Sequence, residues 1–233
     1  KFDLYIRHKK KFCTLQDDVE DQQNFRLSFY VNTNFGVEFE YYLDEKLVGI
    51  ALGDHTSNTF SAIYTFYDIS NSKLSLGTFS ILKQLEFCQQ RGVKFFYLGY
   101  LLLLESLDKV NDDGRTGASE LLNEARALGF LTVVDLVSAQ LGDFKSVVLP
   151  SLPEVNILLL NELEAGALLG SVLDENDPGP LIDASRRILD LGVRDHVIVH
   201  SASGVVAVSS DGNEVSLGSV RFPDDMIRGA AGA

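Results

Sequence analysis

The chain has 233 residues, 45% hydrophobic and 23% charged, with a formal net charge of −13. This is the composition of a globular chain with room for one large or two small domains. No window approaches the ~18 unbroken apolar residues of a membrane-spanning helix. No secretory or lipidation motif is read either, so a cytoplasmic protein with no membrane role is expected.

The opening FDLYIRHKKKF places Phe2, Tyr5, Ile6 and Lys9 at helical spacing. Its cations Arg7, Lys9, Lys10 and Lys11 read as a solvated helix face, and as the basic run a phosphate backbone could use. VEFEYYLD, KLVGIALGD and FSAIYTFYD then alternate with period two, and Asp44-Glu45 and Thr56-Ser57-Asn58 supply polar turns. An antiparallel meander follows from that pattern.

Ser75 to Thr78 read as a short loop, followed by a helix with Phe79, Ile81, Leu82, Leu85 and Cys88 on its inner face. Arg91 and Gly92 stop it, and Lys94 to Tyr100 read as a buried strand. The free N–H groups of such a helix can hold an anion or a carbonyl oxygen, although glycines before helices also serve simply as turns.

The segments EKLVGIALGD, FSAIYTFYD, LSLGTFSILKQLEFCQQRGVKFFYLGY and FDLYIRHKKKF, in this order-specific set, resemble the C-terminal domain of the bacterial aspartate/glutamate leucyltransferases. Those enzymes are relatives of the arginyl-tRNA–protein transferases. The resemblance implies a GNAT-like acyltransferase fold over residues 1–100. It also implies aminoacyl-tRNA as co-substrate and a protein with an acidic N-terminus as acceptor. By the same resemblance Tyr64, Thr65, Phe66, Ser75 and Leu76 would bind the aminoacyl end, and the Gly77 and Thr78 amides would polarise its carbonyl.

Beyond residue 100 the pattern changes. ASELLNEARALG is an amphipathic helix with Leu121, Leu122, Ala125 and Leu128 inward, and FLTVVDLV is a continuous apolar strand of the kind covered on both faces. NILLLN, ELEAGALLG, LIDASRRILDLG and DHVIVH continue the alternation, and SGVVAVSSDGNEVSLGSVRF reads as a hairpin turning at Asp211-Gly212. An open α/β layer fold is expected, with Asp135, Asn161 and Glu164 at strand ends, where capping is the ordinary use of such residues.

DGRTGASELLNEARALGFLTVVDLVS, LPEVNILLLNELEAGALLG, HVIVHSASGVVAV and the final IRGAAGA resemble the ribokinase-like (PfkB) carbohydrate kinases over residues 101–233. That likeness implies a Rossmann-type half with ATP and Mg²⁺ as cofactors. Asn161 and Glu164 would organise Mg²⁺ and phosphate without a direct metal ligand, and Gly232 and Ala233 would lead into the helix that holds the transferring phosphate. Ser201 stands where many such kinases carry glycine.

Composition supports a junction near Tyr100. Twenty of the 23 Phe and Tyr residues lie in residues 1–100, and all five prolines lie after it. Residues 1–100 hold 11 Lys+Arg against 12 Asp+Glu, net −1, whereas residues 101–233 hold 9 against 21, net −12. Cys13 and Cys88 lie far apart without a partnering motif, as reduced thiols would.

The expectation is a chimera of two incomplete α/β transferase halves, 1–100 and 101–233, joined at the LGY both families share. Each half lacks parts its reaction requires, so full activity of either is not expected. The alternatives are a kinase fragment that binds ATP–Mg²⁺ without turnover and a non-catalytic folded fragment. Open sheet edges would favour self-association.

Overall fold

Aromatic alternation after residue 35 produces a three-stranded antiparallel sheet: β1 (Gly36–Leu43), β2 (Lys46–His55) and β3 (Phe60–Tyr67), in that order. The computed structural model describes residues 1–12, 22–31, 36–104, 107–138 and 144–220. The β1–β2 turn uses Asp44 and Glu45 at φ 48° and 63°. Two consecutive positive φ values give the twist that closes a two-residue hairpin without splaying its strands.

Each face of this sheet has its own helical cover. On one face, α1 (Phe2–Phe12) and α2 (Gln22–Tyr30) bury Leu4, Tyr5 and Phe25 against Ile50, Leu52 and Phe66. The rings meet at an angle, with Tyr5 5.0 Å from Phe25 and 5.6 Å from Phe66. Such tilted contacts add to the area they bury. The opposite face, through Tyr41, Val48 and Ala51, packs on Leu76 of α3 (Leu76–Gln90).

The helix α3 departs from its sequence reading in two ways. It begins at Leu76, two residues before Thr78, so most of the expected loop is helical. Its buried residues are Leu76, Ser80, Gln84, Leu85 and Cys88, while Phe79 is 41% exposed and Ile81 and Leu82 are half-buried. A polar network explains the rotation. Gln84 Nε2 donates to Ser80 Oγ at 2.9 Å, and that hydroxyl meets Tyr41 Oη at 3.1 Å. A satisfied buried network of this kind fixes a helix on its stripe as firmly as apolar contacts do. Cys88 is a free, buried thiol that burial pushes up to about 11; Cys13 lies outside the described residues.

The chain divides into two compact units, Lys1–Lys94 and Phe95–Ala233. The second carries a six-stranded sheet in sequential order: β4 (Phe95–Leu101), β5 (Leu131–Leu136), β6 (Ile157–Asn161), β7 (His196–Ser201), β8 (Gly204–Ser209) and β9 (Glu214–Gly218). Strands β4 to β7 run parallel, and β7, β8 and β9 pair antiparallel. The helices α4 (Gly117–Ala127), α5 (Phe144–Val148), α6 (Glu162–Leu169) and α7 (Pro178–Asp190) complete the unit.

The core of the second unit joins Val134, Leu158, Leu160, Val197, Val199 and Val206 of the sheet to Leu122, Ala165, Leu168, Leu181 and Ile188 of the helices. The alternate strand residues Val133, Leu159 and Ile198 are only half-buried, so these strands do not have the two equal covers expected. Leu128 is likewise half-buried, one step past the end of α4. In β4, Phe95 and Tyr97 are exposed, in contrast to the buried strand expected. That is the position of a strand at a sheet edge, which β4 is.

The backbone is strained at the end of β4. Tyr100 and Leu102, neither of them glycine, have φ 60° and 91°, and the pairing of β4 with β5 slips between Leu98 and Leu101. A left-handed residue costs about 1–2 kcal/mol. Leu102 is 2% exposed in the core, and burial of a leucine is worth roughly 1.5–3 kcal/mol, which offsets the strain. Tyr100 is 63% exposed and has no such compensation. Replacing Tyr100 by glycine should therefore raise stability by about 1 kcal/mol in chemical denaturation, whereas Leu102→Gly should lower it. Equal losses in both would contradict this account.

Candidate functional site

In the first unit the polar groups converge on the start of α3. Ser75 is the residue before the helix and sits in the left-handed region, φ 45° and ψ 47°. In that conformation its hydroxyl does not cap the helix. The Gly77 and Thr78 N–H groups find no acceptor among the described residues. Helix N-termini carry partial positive charge on such groups, which suits a carbonyl oxygen or an anion. A strained non-glycine residue that forgoes a cap worth ~1 kcal/mol is the arrangement seen where function competes with stability.

Tyr67 forms the wall beside these amides. A methyl built on Gly77 would meet Tyr67 Oη at 3.4 Å, so glycine leaves the space in front of that hydroxyl clear. Tyr67 is in turn fixed by His8 of α1. Its backbone N–H donates to His8 Nδ1 at 3.2 Å, and the two rings lie 4.6 Å apart. His8 is 7% exposed.

Asp68 holds the turn that leads to α3. Ser70 donates to it through its hydroxyl at 2.6 Å and its N–H at 3.0 Å. Lys46 Nζ lies 3.1 Å from the carboxylate and Arg7 Nη1 3.7 Å. The Ser70 hydroxyl, followed by the Ser70 N–H and Lys46, brings the carboxyl down to about 2 against the opposing effect of burial.

The expected binding residues divide between the two faces of the sheet. Thr65 and Tyr67 share the α3 side by strand alternation. Phe66 is fully buried on the α1–α2 side, and Tyr64 packs there at 5.2 Å from Phe29. Leu76 is buried in the α3 contact, while Ser75 and Thr78 are exposed. The geometry thus brings together Ser75, Gly77 and Thr78, leaves Thr65 only on the same face of the sheet, and adds His8, Tyr67 and Asp68, which the sequence reading missed. The Asp-x-Ser spacing at residues 68–70 was a visible turn signal. Nothing local could have paired His8 with a residue 59 positions away.

In the second unit, Asn161 and Glu164 form a reciprocal cap at the junction of β6 and α6. The Glu164 N–H donates to Asn161 Oδ1, and the Asn161 N–H donates to Glu164 Oε2, both at 2.8 Å. Ser138, just beyond β5, donates to Glu164 Oε1 at 2.9 Å and accepts from Asn161 Nδ2 at 2.8 Å. Both oxygens of the 4% exposed Glu164 carboxylate are engaged. Asp135, on β5, accepts from Tyr97 Oη at 3.0 Å.

This set does not fit direct Mg²⁺ binding, which needs several free oxygen ligands. Among the described residues no three His, Cys, Asp or Glu side chains gather as metal ligands. Ser201 donates to the Glu175 carbonyl at 3.0 Å. Gly232 and Ala233 lie outside the described residues.

Comparison with known proteins gives different answers for the two parts. Residues 1–109 match the family model "Arginine-tRNA-protein transferase, C terminus". The chain is 45% identical over 97 residues to the aspartate/glutamate leucyltransferase of Vibrio cholerae, covering 42% of this chain and 40% of that protein. It is 42% identical over 67 residues to the Helicobacter hepaticus enzyme, covering 29% and 28%. The Campylobacter jejuni enzyme is 32% identical over 102 residues, covering 44% and 42%. The chain therefore spans less than half the length of these relatives.

Among solved structures, similarity extends to phosphomethylpyrimidine kinase from Clostridium difficile, with TM-score 0.45, 16% identity and coverage of 72% of this chain and 68% of that one. Arabidopsis thaliana ribokinase gives TM-score 0.43 at 17% identity, covering 58% and 38%. Overlaps of this size assign no activity to the second unit. The leucyltransferase resemblance of the first part is confirmed. No helix among the described residues is long and apolar enough to cross a membrane.

Protonation of Asp68 provides a check on the site's anchor. The unfolded carboxyl takes its proton near 3.8, and the folded one holds out to about 2. Its stabilising contribution is therefore complete at neutral pH and is lost as pH falls through that interval. Asp68→Asn should lower the melting temperature at pH 7 and flatten the decline of wild type between pH 5 and pH 2. An unchanged acid profile would show that Asp68 does not hold this turn.

Proposed function

We propose that the first unit is an aminoacyl-transferase core that receives the aminoacyl ester of a charged tRNA at the N-terminus of α3. The observation that carries the reading is the uncapped helix start, with the Gly77 and Thr78 amides free beside Tyr67. These amides would donate to the ester carbonyl as negative charge builds on its oxygen. The amine of an acceptor polypeptide beginning with Asp or Glu attacks the carbonyl carbon. The new amide bond forms, the ester C–O bond breaks, and the proton shed by the amine ends on the released ribose hydroxyl. The family match over residues 1–109 supports this assignment.

The test is transfer of labelled leucine from charged tRNA to a peptide with N-terminal Asp or Glu. Wild type should place label in the peptide. Gly77→Ala removes a helix glycine and should stabilise the protein by about 0.5–1 kcal/mol, yet fill the space before Tyr67 and cut transfer about tenfold or more. Equal transfer by the variant would show that the space between Gly77 and Tyr67 is not where the ester sits.

A second reading concerns residues 95–233, as a nucleotide-binding half that holds ATP–Mg²⁺ without turnover. What favours it is the buried Glu164 with Asn161 at the carboxyl ends of parallel strands. Their role would be to orient water around a bound ion, not to ligate it. Calorimetry with ATP and Mg²⁺ should then give binding that Asn161→Ala weakens. Loss of the cap should also cost about 1 kcal/mol of stability. A stability loss with no heat of ATP binding in wild type would leave these residues as a cap alone.

The chain as a whole reads as a join of two transferase-type modules. Its support is the shift in composition near Tyr100 and the backbone strain at Tyr100 and Leu102. Local conflict of this kind marks sequence that did not settle with its surroundings. The stability response at Tyr100 measures that misfit, since a well-adapted junction would gain nothing from glycine. The edge positions of β1, β3, β4 and β9 in their sheets support self-association.

A further inference from the structure

Aminoacyl transfer moves a proton as well as an acyl group. The attacking amine sheds it and the departing ribose oxygen takes it up. Backbone N–H groups only donate, so the amides of α3 cannot carry it. The task needs a side chain that accepts and donates, held beside the carbonyl carbon.

The charged groups near the start of α3 are committed elsewhere. Ser70 and Lys46 hold the Asp68 carboxylate, and His8 Nδ1 accepts the Tyr67 N–H. Ser75 and Thr78 carry hydroxyls but are exposed, where water competes for them. Tyr67 differs from the other tyrosines of known partner. Tyr30, Tyr41, Tyr42 and Tyr97 direct their hydroxyls to Glu38, Ser80, Glu40 and Asp135, at 2.6, 3.1, 2.6 and 3.0 Å. The half-buried Tyr67 has no hydrogen-bond partner for its hydroxyl among the described residues.

That free hydroxyl is nevertheless held in place. Tyr67 pairs with Gly49 of β2, and the N–H of the next residue, Asp68, donates to the Val48 carbonyl at 2.7 Å. The His8 ring stands against the Tyr67 ring at 66°. So fixed, Tyr67 Oη lies 3.4 Å from the point where a side chain on Gly77 would begin. It borders the same space as the uncapped start of the helix, and a phenol both accepts and donates.

We propose that Tyr67 is a catalytic residue of the transfer, its hydroxyl relaying the proton from the amine to the ribose oxygen. This rests on the aminoacyl-transfer reading of the same site. Attack forms the C–N bond and places the carbonyl electron pair on oxygen, where the amides hold it. As that pair returns, the ester C–O bond breaks. An N–H proton moves to Tyr67 Oη, and the phenolic proton moves to the ribose oxygen. The phenol ends as it began, and no further reactant enters.

Tyr67→Phe removes one oxygen and keeps the ring. Since that oxygen has no partner to leave unsatisfied, the melting curve should remain that of wild type. The assay is single-turnover transfer of labelled leucine to a peptide with N-terminal Asp, with the full chain in excess over charged tRNA. The limiting rate should fall about 100-fold or more, while the protein concentration giving half that rate is unchanged. In mixtures of ordinary and heavy water the wild-type rate should follow a bowed curve, because two protons move together; one proton gives a straight line. An undiminished rate in Tyr67→Phe, a loss confined to the half-saturating concentration, or a straight line would overturn the relay and leave the transfer reading standing. Absence of transfer by wild type would overturn both.

Discussion

The pairing of β4 with β5 is the constraint from which the rest of the architecture follows. Phe95 to Leu98 lie beside Leu131 to Val134 in parallel register, and parallel strands require a crossover connection between them. The segment between them supplies it through α4, whose Thr116 cap and Ser119 close a reciprocal capping box. Once β4 is committed to this sheet, the first unit retains three strands and the second has six. Yet β4 lies inside the stretch matched by the transferase family, which runs through residue 109. The composition shift falls near Tyr100, the structural division falls after Lys94, and the family match ends later still. The three boundaries differ because a short apolar strand carries little information about its neighbours.

Much of this was legible from pattern. The meander, the helix ending at Gly92, the alternating α/β layers and the hairpin at Asp211-Gly212 each have a period or a turn signal. The features that escaped depend on distant partners. Ser80 and Gln84 are polar, so periodicity assigned the inner stripe of α3 to Phe79, Ile81 and Leu82. Tyr41 reverses that choice by supplying a buried hydroxyl. The half-covered face of the second sheet was hidden for a similar reason. VVDLV and NILLLN look the same whether one face is covered or both, and only strand order decides.

The candidate site shows the same limit. Tyr64, Thr65 and Phe66 are consecutive, so no strand can turn all three toward one cleft, and alternation alone divides them. Tyr67 was the aromatic residue positioned to meet Gly77. Ser75 looks like an ordinary cap in the sequence. Its left-handed conformation, which withdraws the hydroxyl and leaves the amides open, becomes apparent only when the turn held by Asp68 is in place.

The chain's acidity bears on whether such a site could serve a polyanion. A net charge of −13 would seem to repel RNA, but residues 101–233 hold −12 of it. Exposed charges act over a Debye length of about 8 Å at physiological ionic strength, so what a bound strand feels is the local array and not the total. Along α3 that array consists of helix N–H groups at one end, Arg91 stacked on Phe87 at the other, and Lys83 paired with Glu86 between them. Few cations are involved, and the salt-dependent part of affinity grows with their number. The uncompensated positive end is therefore the helix N-terminus itself, and the near-balance of 11 basic against 12 acidic residues in the first hundred keeps that part of the chain from opposing an anionic group there by net charge.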